Sequence, residues 1–413
     1  MNRPSGNAAL LATLDTKGEE TAYLRDRLHE LGVPTITIDV GILGRPRFAP
    51  DIDRYTVMSA AGATIEQMGR LSAGDAIRRM MRGASVLTLR LYQDRRFGGI
   101  LGLGGGKGSN ICAAAMRGLP FGVPKMLLST VASRRSHQYV GISDLIVVPT
   151  VADLIGVNRI TGTVLSNAAA AMAGMLKSEP YESSGRSIVA ISAMGATSLG
   201  AIDCSARLRT NDYEPVVFHC TGLGGQALEQ LIREKQVHAL LDLTTTEVIN
   251  ELCGAGASAG PGRLNIAQEM ALPQVVAPGG LDMLIFPGSD QVPERYRDRL
   301  RYEHSPTAIL VRTTKEENHL AGKLIGERLR TSPTACVLIP RRGVSEYDRE
   351  GAVFYDPSCV TAFEAGVRDI AGDKIEIIPI DAHINDPEFA EVAVRILVRQ
   401  IEQGQNLWRA VNQ

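Results

Sequence analysis

The residues best suited to chemistry lie in a glycine-rich stretch, 97–117, which has six glycines between positions 99 and 108. Residues 100–103 predict a short buried strand, and the Ala-rich residues 110–116 predict a helix that Ser109 caps through its hydroxyl. Glycines at such a turn permit positive φ angles and direct backbone N–H groups inward, where the positive end of the helix dipole adds to them. An anionic group, phosphate above all, fits this environment.

The glycine spacing matches neither of two familiar phosphate-binding motifs. The dinucleotide fingerprint G-x-G-x-x-G needs its third glycine where Lys107 stands, and the Walker pattern fails because Gly108 follows that lysine. The alternative interpretation is that the glycines serve only a tight turn between a strand and a helix of an α/β sheet.

Polar residues follow the other predicted strands of the first half: Asp15, Thr16 and Lys17, then Asp39, then residues 129–135. The carboxyl ends of strands in a doubly wound sheet face one crevice, so we expect these residues to converge on the glycine loop. Four cations then gather positive charge there: Lys17, Lys107, Arg134 and Arg135. An anion is the natural ligand of such a group.

Composition limits the classes of function. The 413 residues predict two or three α/β domains, and a net charge of −1 with intermixed acids and bases argues against a nucleic-acid partner. Neither a leader pattern nor a long apolar run is present, so we expect a cytoplasmic protein with no membrane partner. The six scattered cysteines fit reduced core residues, and no spacing predicts a metal site.

The order of elements predicts the domains. A strand at 8–13 leads into an amphipathic helix in which Thr16 and Glu19 have the spacing of a capping box. An Ala-rich helix at 158–176 ends in the polar stretch 177–185, where we place a domain boundary. The predicted fold class is α/β, with two Rossmann-like doubly wound domains, 1–180 and 186–413, and largely parallel sheets.

The second half carries its own candidate residues at predicted strand ends. Gly-Leu-Gly-Gly occurs in both halves, at 102–105 and 222–225, and a long glycine-rich loop spans 253–263. We expect four side chains to face the first domain across a cleft: Thr245, Glu247, Arg312 and Ser345. The alternative for Thr-Thr-Thr-Glu at 244–247 is helix capping.

Several ordered motifs become recognisable when they are considered together. They include Asp15-Thr16-Lys17, Gly102-Leu103-Gly104-Gly105, Ser129-Thr130-Val131-Ala132-Ser133, Ser258-Ala259-Gly260-Pro261 and Gly343-Val344-Ser345. In combination, and over nearly the whole chain, they resemble the poorly characterised family typified by the N-terminal region of the tomato mosaic virus resistance protein. The resemblance implies a pair of Rossmann-like domains, of which the first binds ATP.

Carried over by motif, the resemblance implies cofactor-binding residues at Asp15, Thr16, Lys17, Gly104, Gly105, Gly106, Lys107, Gly108, Ser109, Ser129, Thr130 and Ser133. Two departures from the family pattern add cations. Lys107 stands in a loop that usually reads Gly-Gly-Ser-Gly-Gly-Thr, and Arg134 stands where the family has the glycine of Ala-Ser-Gly. These cations either tighten phosphate binding or select a different anion.

The resulting expectation is a soluble ATP-binding protein, with or without Mg²⁺, that forms a homo-oligomer. One hypothesis is an enzyme acting on a small molecule between the domains. A second is a regulatory protein in which ATP sets conformation or assembly. A third is that the glycine loop holds a phosphorylated or carboxylated metabolite instead of ATP.

Overall fold

The computed structural model describes residues 6–42, 44–179 and 181–411, without the side chains of Arg135 and of residues 404–411. Pro180, in the predicted boundary stretch, lies outside the described residues. The chain divides into two compact units, Met1–Glu182 and Ser183–Gln413, called the first and second units below.

The first unit is built on a five-stranded parallel sheet in the order β2-β1-β3-β4-β5. Its elements are β1 (Ala8–Ala12), α1 (Leu14–Glu30), β2 (Thr35–Asp39), α2 (Arg54–Ala60), α3 (Ile65–Gly69), α4 (Ala73–Gln93), β3 (Gly99–Gly104), α5 (Gly106–Arg117), β4 (Lys125–Ser129), α6 (Ala132–Val140), β5 (Ile146–Pro149) and α7 (Arg159–Lys177).

Side chains of β1 divide between two hydrophobic cores, as a sheet covered on both faces requires. Ala9 and Leu11 belong to one core, while Ala8, Leu10 and Ala12 belong to the other. Because successive strand residues point to opposite faces, this division shows helices packed on each side.

Residues 63–81 carry apolar residues at helical spacing, which predicts one helix, but the structure divides this stretch in two. It consists of α3 and the start of α4, and the break lies at Ser72, whose hydroxyl accepts a hydrogen bond from the Asp75 N–H as the N-cap of α4. In a continuous helix the Asp75 N–H would bond to a backbone carbonyl oxygen one turn earlier. Here the Ser72 hydroxyl accepts that hydrogen bond, so a new helix begins after Ser72. This break shapes one wall of the site described below.

The second unit contains a six-stranded parallel sheet in the order β14-β13-β9-β8-β6-β7 and a three-stranded antiparallel sheet in the order β10-β12-β11. Its elements are β6 (Ile188–Ala193), α8 (Ser198–Thr210), β7 (Glu214–His219), α9 (Leu223–Arg233), β8 (Ala239–Thr244), α10 (Thr246–Cys253), α11 (Asn265–Glu269), β9 (Gln274–Gly279), β10 (Met283–Phe286), β11 (Arg301–Ser305), β12 (Ala308–Arg312), α12 (Lys315–Leu329), β13 (Ala335–Pro340), α13 (Pro357–Ala371), β14 (Glu376–Ile380) and α14 (Pro387–Val411).

The predicted fold class, α/β with two parallel-sheet domains, is confirmed. The antiparallel sheet was not predicted as a separate sheet. Strand β11 escaped sequence analysis because its side chains are polar and mostly exposed, so its hydrophobic pattern is weak. All six cysteines are buried, as predicted for core residues.

Candidate functional site

The first unit has its topological switch point between β1 and β3. From β1 the chain places β2 on one side, whereas β3, β4 and β5 follow on the other side. The loops after β1 and β3 therefore diverge, and ligands of open α/β sheets bind in the crevice that such divergence opens at the carboxyl ends of strands.

A cavity of about 550 Å³ lies at this switch point. One wall is polar and combines the start of α1 with the glycine loop: Thr13, Asp15, Thr16, Lys17, Gly105, Gly106, Lys107 and Gly108. The rest of the lining is mainly apolar: Ile42, Met68, Gly69, Leu71, Ala73, Ala76, Ile77 and Ile111. The structure thus brings most of the predicted cofactor-binding residues to one cavity.

Helix α5 starts at Gly106 with Gly105 as its N-cap, and no side chain caps it. The N–H groups of the first helical turn have no acceptor within the helix, so they face the cavity as donors. The expectation of positive φ angles is wrong, since Gly104, Gly105, Gly106 and Gly108 all lie outside the left-handed region. Glycine serves close approach instead: a Cβ on Gly104 would lie 2.6 Å from the Ser109 nitrogen, whereas one on Gly106 would have no heavy atom within 4 Å.

Ser109 is not the cap of α5, contrary to the sequence-based prediction. It lies inside that helix and is fully buried, with Oγ 3.0 Å from the Gly104 carbonyl oxygen and 2.7 Å from Ser129 Oγ. The two serines therefore tie the ends of β3 and β4 together beneath the glycine loop. Thr130 donates its N–H to the Gly104 oxygen, and Ser133 is exposed on α6 outside the cavity lining.

The start of α1 also differs from the predicted capping box. Its N-cap is Thr13, without a side-chain cap, and the Thr13 and Thr16 hydroxyl oxygens lie 2.8 Å apart. The buried Asp39 carboxylate accepts a hydrogen bond from the Leu14 N–H at 3.1 Å and pairs with Arg54 at 2.7 Å. Asp39 thus positions the turn that carries Asp15 to Lys17, and its ion pair with Arg54 was not predicted.

Lys17 has a non-helical backbone inside α1, with φ −124° and ψ 23°. The residue lines the cavity, and its ammonium group donates a hydrogen bond to the Leu154 carbonyl oxygen and lies 4.0 Å from Asp153 Oδ1. The Lys17 side chain is only 13% exposed, whereas Lys107 is exposed on the first turn of α5. The cavity lining therefore includes two lysines, one whose side chain is held inside the fold and one that is exposed to solvent.

In the second unit, Glu247 lies against the glycine turn that begins α9. Its fully buried carboxylate accepts hydrogen bonds from the N–H groups of Gly222 and Gly225, in the second Gly-Leu-Gly-Gly. Arg263 pairs with both Glu247 and Asp242, at 2.7 and 2.5 Å. Thr245 is the N-cap residue of α10 but does not cap it through its side chain, which donates to the Ala277 oxygen instead.

Arg312 and Ser345, the other two candidates of the second half, join a separate buried group. Ser345 donates its hydroxyl hydrogen to Asp282 Oδ2 at 2.7 Å, and Arg312 lies 3.5 Å from Asp348 Oδ1. Asp282 and Asp348 are each 1% exposed. Burial raises the pKa of Asp282, and burial together with the neighbouring Asp282 carboxylate raises the pKa of Asp348 to about 7.

The raised pKa of Asp348 predicts a specific pH dependence of stability. The folded chain keeps a proton that the unfolded chain releases near pH 4, so this stabilisation is complete below that pH and is lost as pH rises through 7. Between these limits, we expect wild type to lose about 2–4 kcal/mol of unfolding free energy relative to Asp348→Asn. Urea unfolding at several pH values measures this difference. Parallel curves for the two proteins would contradict it, and the exposed Asp373→Asn serves as control.

The described residues hold neither a candidate metal site nor a candidate membrane span. Within 6–42, 44–179 and 181–411, no group of three or more His, Cys, Asp or Glu side chains is placed to hold a metal ion. In the same ranges, no helix combines the length and apolar character needed to cross a membrane.

Comparison with known proteins identifies relatives over nearly the whole chain. Residues 6–181 match the N-terminal domain, and residues 186–401 the C-terminal domain, of an uncharacterised protein family, UPF0261. A UPF0261 protein of Clostridium tetani is 40% identical over 398 residues, which cover 95% of this chain and 98% of that protein. The tomato (Solanum lycopersicum) ToMV resistance protein Tm-1(GCR237) is 32% identical over 93% of this chain, which spans 54% of the plant protein.

Comparison with solved structures finds only weak similarity. A crystal structure of UDP-N-acetylglucosamine 2-epimerase matches with a TM-score of 0.23 and 10% identity, over 66% of this chain and 78% of the epimerase chain. A likeness at that level carries no argument about activity. The sequence matches over both units, however, establish that this chain belongs to the UPF0261 family of uncharacterised proteins.

Proposed function

We propose that the first unit binds a nucleoside phosphate, ATP in the first instance, in the cavity at the switch point. The observation that carries this proposal is the composition of the cavity, which joins an uncapped helix N-terminus and two lysines to an apolar wall. Phosphate oxygens would accept hydrogen bonds from the first N–H groups of α5, while Lys17 and Lys107 would contribute charge-assisted contacts.

The second unit supports the anionic character of the ligand. There, the N–H groups of a Gly-Leu-Gly-Gly turn already bind an anion, the Glu247 carboxylate of the chain itself. The helix that follows the Gly-Leu-Gly-Gly of the first unit, α5, has no side-chain cap and opens on a cavity instead. A helix start of this kind is satisfied either by the protein's own carboxylate or by a ligand from solution.

The size of the cavity and its apolar wall favour a nucleotide over inorganic phosphate as the ligand. Pockets for small ligands commonly measure about 300–1,000 Å³ and combine an apolar lining with a few placed polar groups. Inorganic phosphate would leave the partly exposed side chains of Leu71 and Ile77 in contact with water. A base or another flat apolar group would cover them, and this burial would add to the affinity.

The presence of Asp15 in the cavity lining favours a metal ion bound together with the phosphate groups. Asp15 belongs to the polar wall, where its carboxylate would repel a phosphate group unless a cation lay between them. Carboxylate, hydroxyl and phosphate oxygens are ligands that Mg²⁺ accepts, and Asp15, Thr13 and Thr16 offer the protein's share. When bound, Mg²⁺ would neutralise phosphate charge. The residues present therefore fit ATP together with Mg²⁺.

Replacing Lys17 with alanine tests the proposal. We expect the affinity for ATP to fall roughly ten- to a hundredfold, because one charge-assisted contact is lost while the glycine loop is unchanged. Titration calorimetry with ATP, ADP and inorganic phosphate, each with Mg²⁺, measures the effect.

Lys177→Ala is the matched control, since Lys177 also donates to a backbone oxygen, that of Leu31, but lies outside the cavity lining. Equal ATP affinities for wild type and Lys17→Ala would remove Lys17 from the site. A wild-type protein that binds none of the three ligands would defeat the nucleotide proposal.

A further inference from the structure

Lys17 takes part both in the lining of the cavity and in a contact with a neighbouring segment of the chain. The residue lines the cavity, yet its ammonium donates a hydrogen bond to the Leu154 oxygen, in the segment between β5 and α7. The nearby Asp153 carboxylate is 65% exposed and lies 4.0 Å away, so its attraction for Lys17 is screened by water. A multiply charged phosphate group in the cavity would compete well for this lysine.

The segment 150–157, which we call the β5–α7 segment, is attached to α1 by a small set of polar contacts. Besides Lys17, Glu20 Oε1 accepts the Gly156 N–H at 2.9 Å and Glu19 Oε1 accepts the Val157 N–H at 3.1 Å. All three side chains come from the first two turns of one helix. A change at Lys17 is therefore placed to affect the whole attachment.

The conformation of the β5–α7 segment is strained and exposes apolar groups. Val151 has a φ of 65°, an unfavourable backbone region for a β-branched residue, and its side chain is 85% exposed. Ile155 is 81% exposed, whereas Leu154 is buried and anchors the segment. Strained backbone persists only where surrounding contacts hold it, so we infer that the contacts with α1 stabilise this conformation of the segment.

We propose that Lys17 is a ligand-controlled latch, which holds the β5–α7 segment in the absence of ligand and releases it when an anion binds in the cavity. This inference rests on the proposed function, because the anion is the phosphate group of the ligand. On binding, the Lys17 ammonium exchanges the Leu154 oxygen for phosphate oxygens. The segment then loses one of its attachments to α1, and occupancy of the cavity is transmitted to the surface that carries Val151 and Ile155.

Hydrogen exchange of the full-length chain tests the latch first without ligand. We compare wild type, Lys17→Ala and the control Lys177→Ala, and follow the amides of Gly156 and Val157 in particular. Loss of the latch predicts exchange about tenfold faster or more in Lys17→Ala and unchanged exchange in Lys177→Ala. Equal exchange in wild type and Lys17→Ala would overturn the inference, whatever the cavity binds.

The second arm adds ATP and Mg²⁺ at a concentration that calorimetry shows to be saturating for wild type. We expect exchange in the β5–α7 segment of wild type to rise to the level of Lys17→Ala, and that of the variant to stay as it was. Binding without faster exchange in wild type would overturn the latch and leave the proposed function standing. Absence of any ATP binding would instead defeat the proposed function, and with it the ligand control.

Discussion

Replacing Gly106 with valine is expected to weaken ATP binding by about a hundredfold or more and to leave the fold intact. Gly106 is the first residue of α5 and lines the cavity. A Cβ there meets no heavy atom within 4 Å, and the backbone is not in the left-handed region, so valine causes no strain. Its methyl groups instead occupy the space where a phosphate would reach the N–H donors, and two lost charge-assisted contacts account for the expected effect.

Gly195→Val is the matched control for this change. Gly195 also follows a strand closely and opens a short 3-10 helix, Gly195–Thr197, and a Cβ on it likewise has open space around it, but it lies in the second unit. Calorimetry should show wild-type affinity for Gly195→Val, and circular dichroism should show native secondary structure for both variants. A folded Gly106→Val that binds ATP as tightly as wild type would place the phosphate elsewhere.

The glycine loop shows how far sequence analysis could go. The strand–glycine–helix pattern predicted the loop, and the parallel-sheet rule predicted that Asp15 to Lys17 would meet it, because both depend on local patterns and topology. The reason given for the glycines was wrong at this loop. Gly104 permits close packing against Ser109, and Gly106 leaves space for a ligand, and these are tertiary relations that no local pattern records.

The apolar wall of the cavity could not be predicted. Met68, Leu71, Ala76 and Ile77 lie on or between α3 and α4, where apolar residues at helical spacing indicate packing against a core. Some of these residues do pack on the core, and the same side chains also line the cavity. The break at Ser72 is what turns these residues toward the cavity as well as toward the core, and helical spacing alone does not reveal a break. The Ser72–Asp75 spacing is the signal that could have indicated this break.

The second unit illustrates a different limit, the pairing of buried charges. Asp242, Glu247 and Arg263 were visible in the sequence, and Glu247 was a candidate for the cleft. Which charge meets which depends on how the glycine-rich loop returns to the sheet, and sequence spacing alone does not fix that path. In the structure the three side chains are each at most 1% exposed and satisfy one another.

Replacing Arg263 with alanine is expected to destabilise the second unit by about 3–5 kcal/mol. The guanidinium is 1% exposed and pairs with Asp242 and Glu247, so its removal leaves two buried carboxylates without their counter-ion. Stability is measured by urea unfolding followed by circular dichroism, with hydrogen exchange of β8 to identify the unit that unfolds. We expect β8 amides to lose protection while those of β3 in the first unit keep it.

Arg342→Ala is the control that separates burial from pairing. Arg342 makes two hydrogen bonds to Asp381, at 2.9 and 2.8 Å, but both side chains are mostly exposed. Water solvates Asp381 once its partner is removed, so no resolvable shift of the urea midpoint is expected. If Arg263→Ala were as stable as Arg342→Ala, the pairing of Arg263 with Asp242 and Glu247 would not be what stabilises the second unit, and the buried position of the three charges would need another explanation.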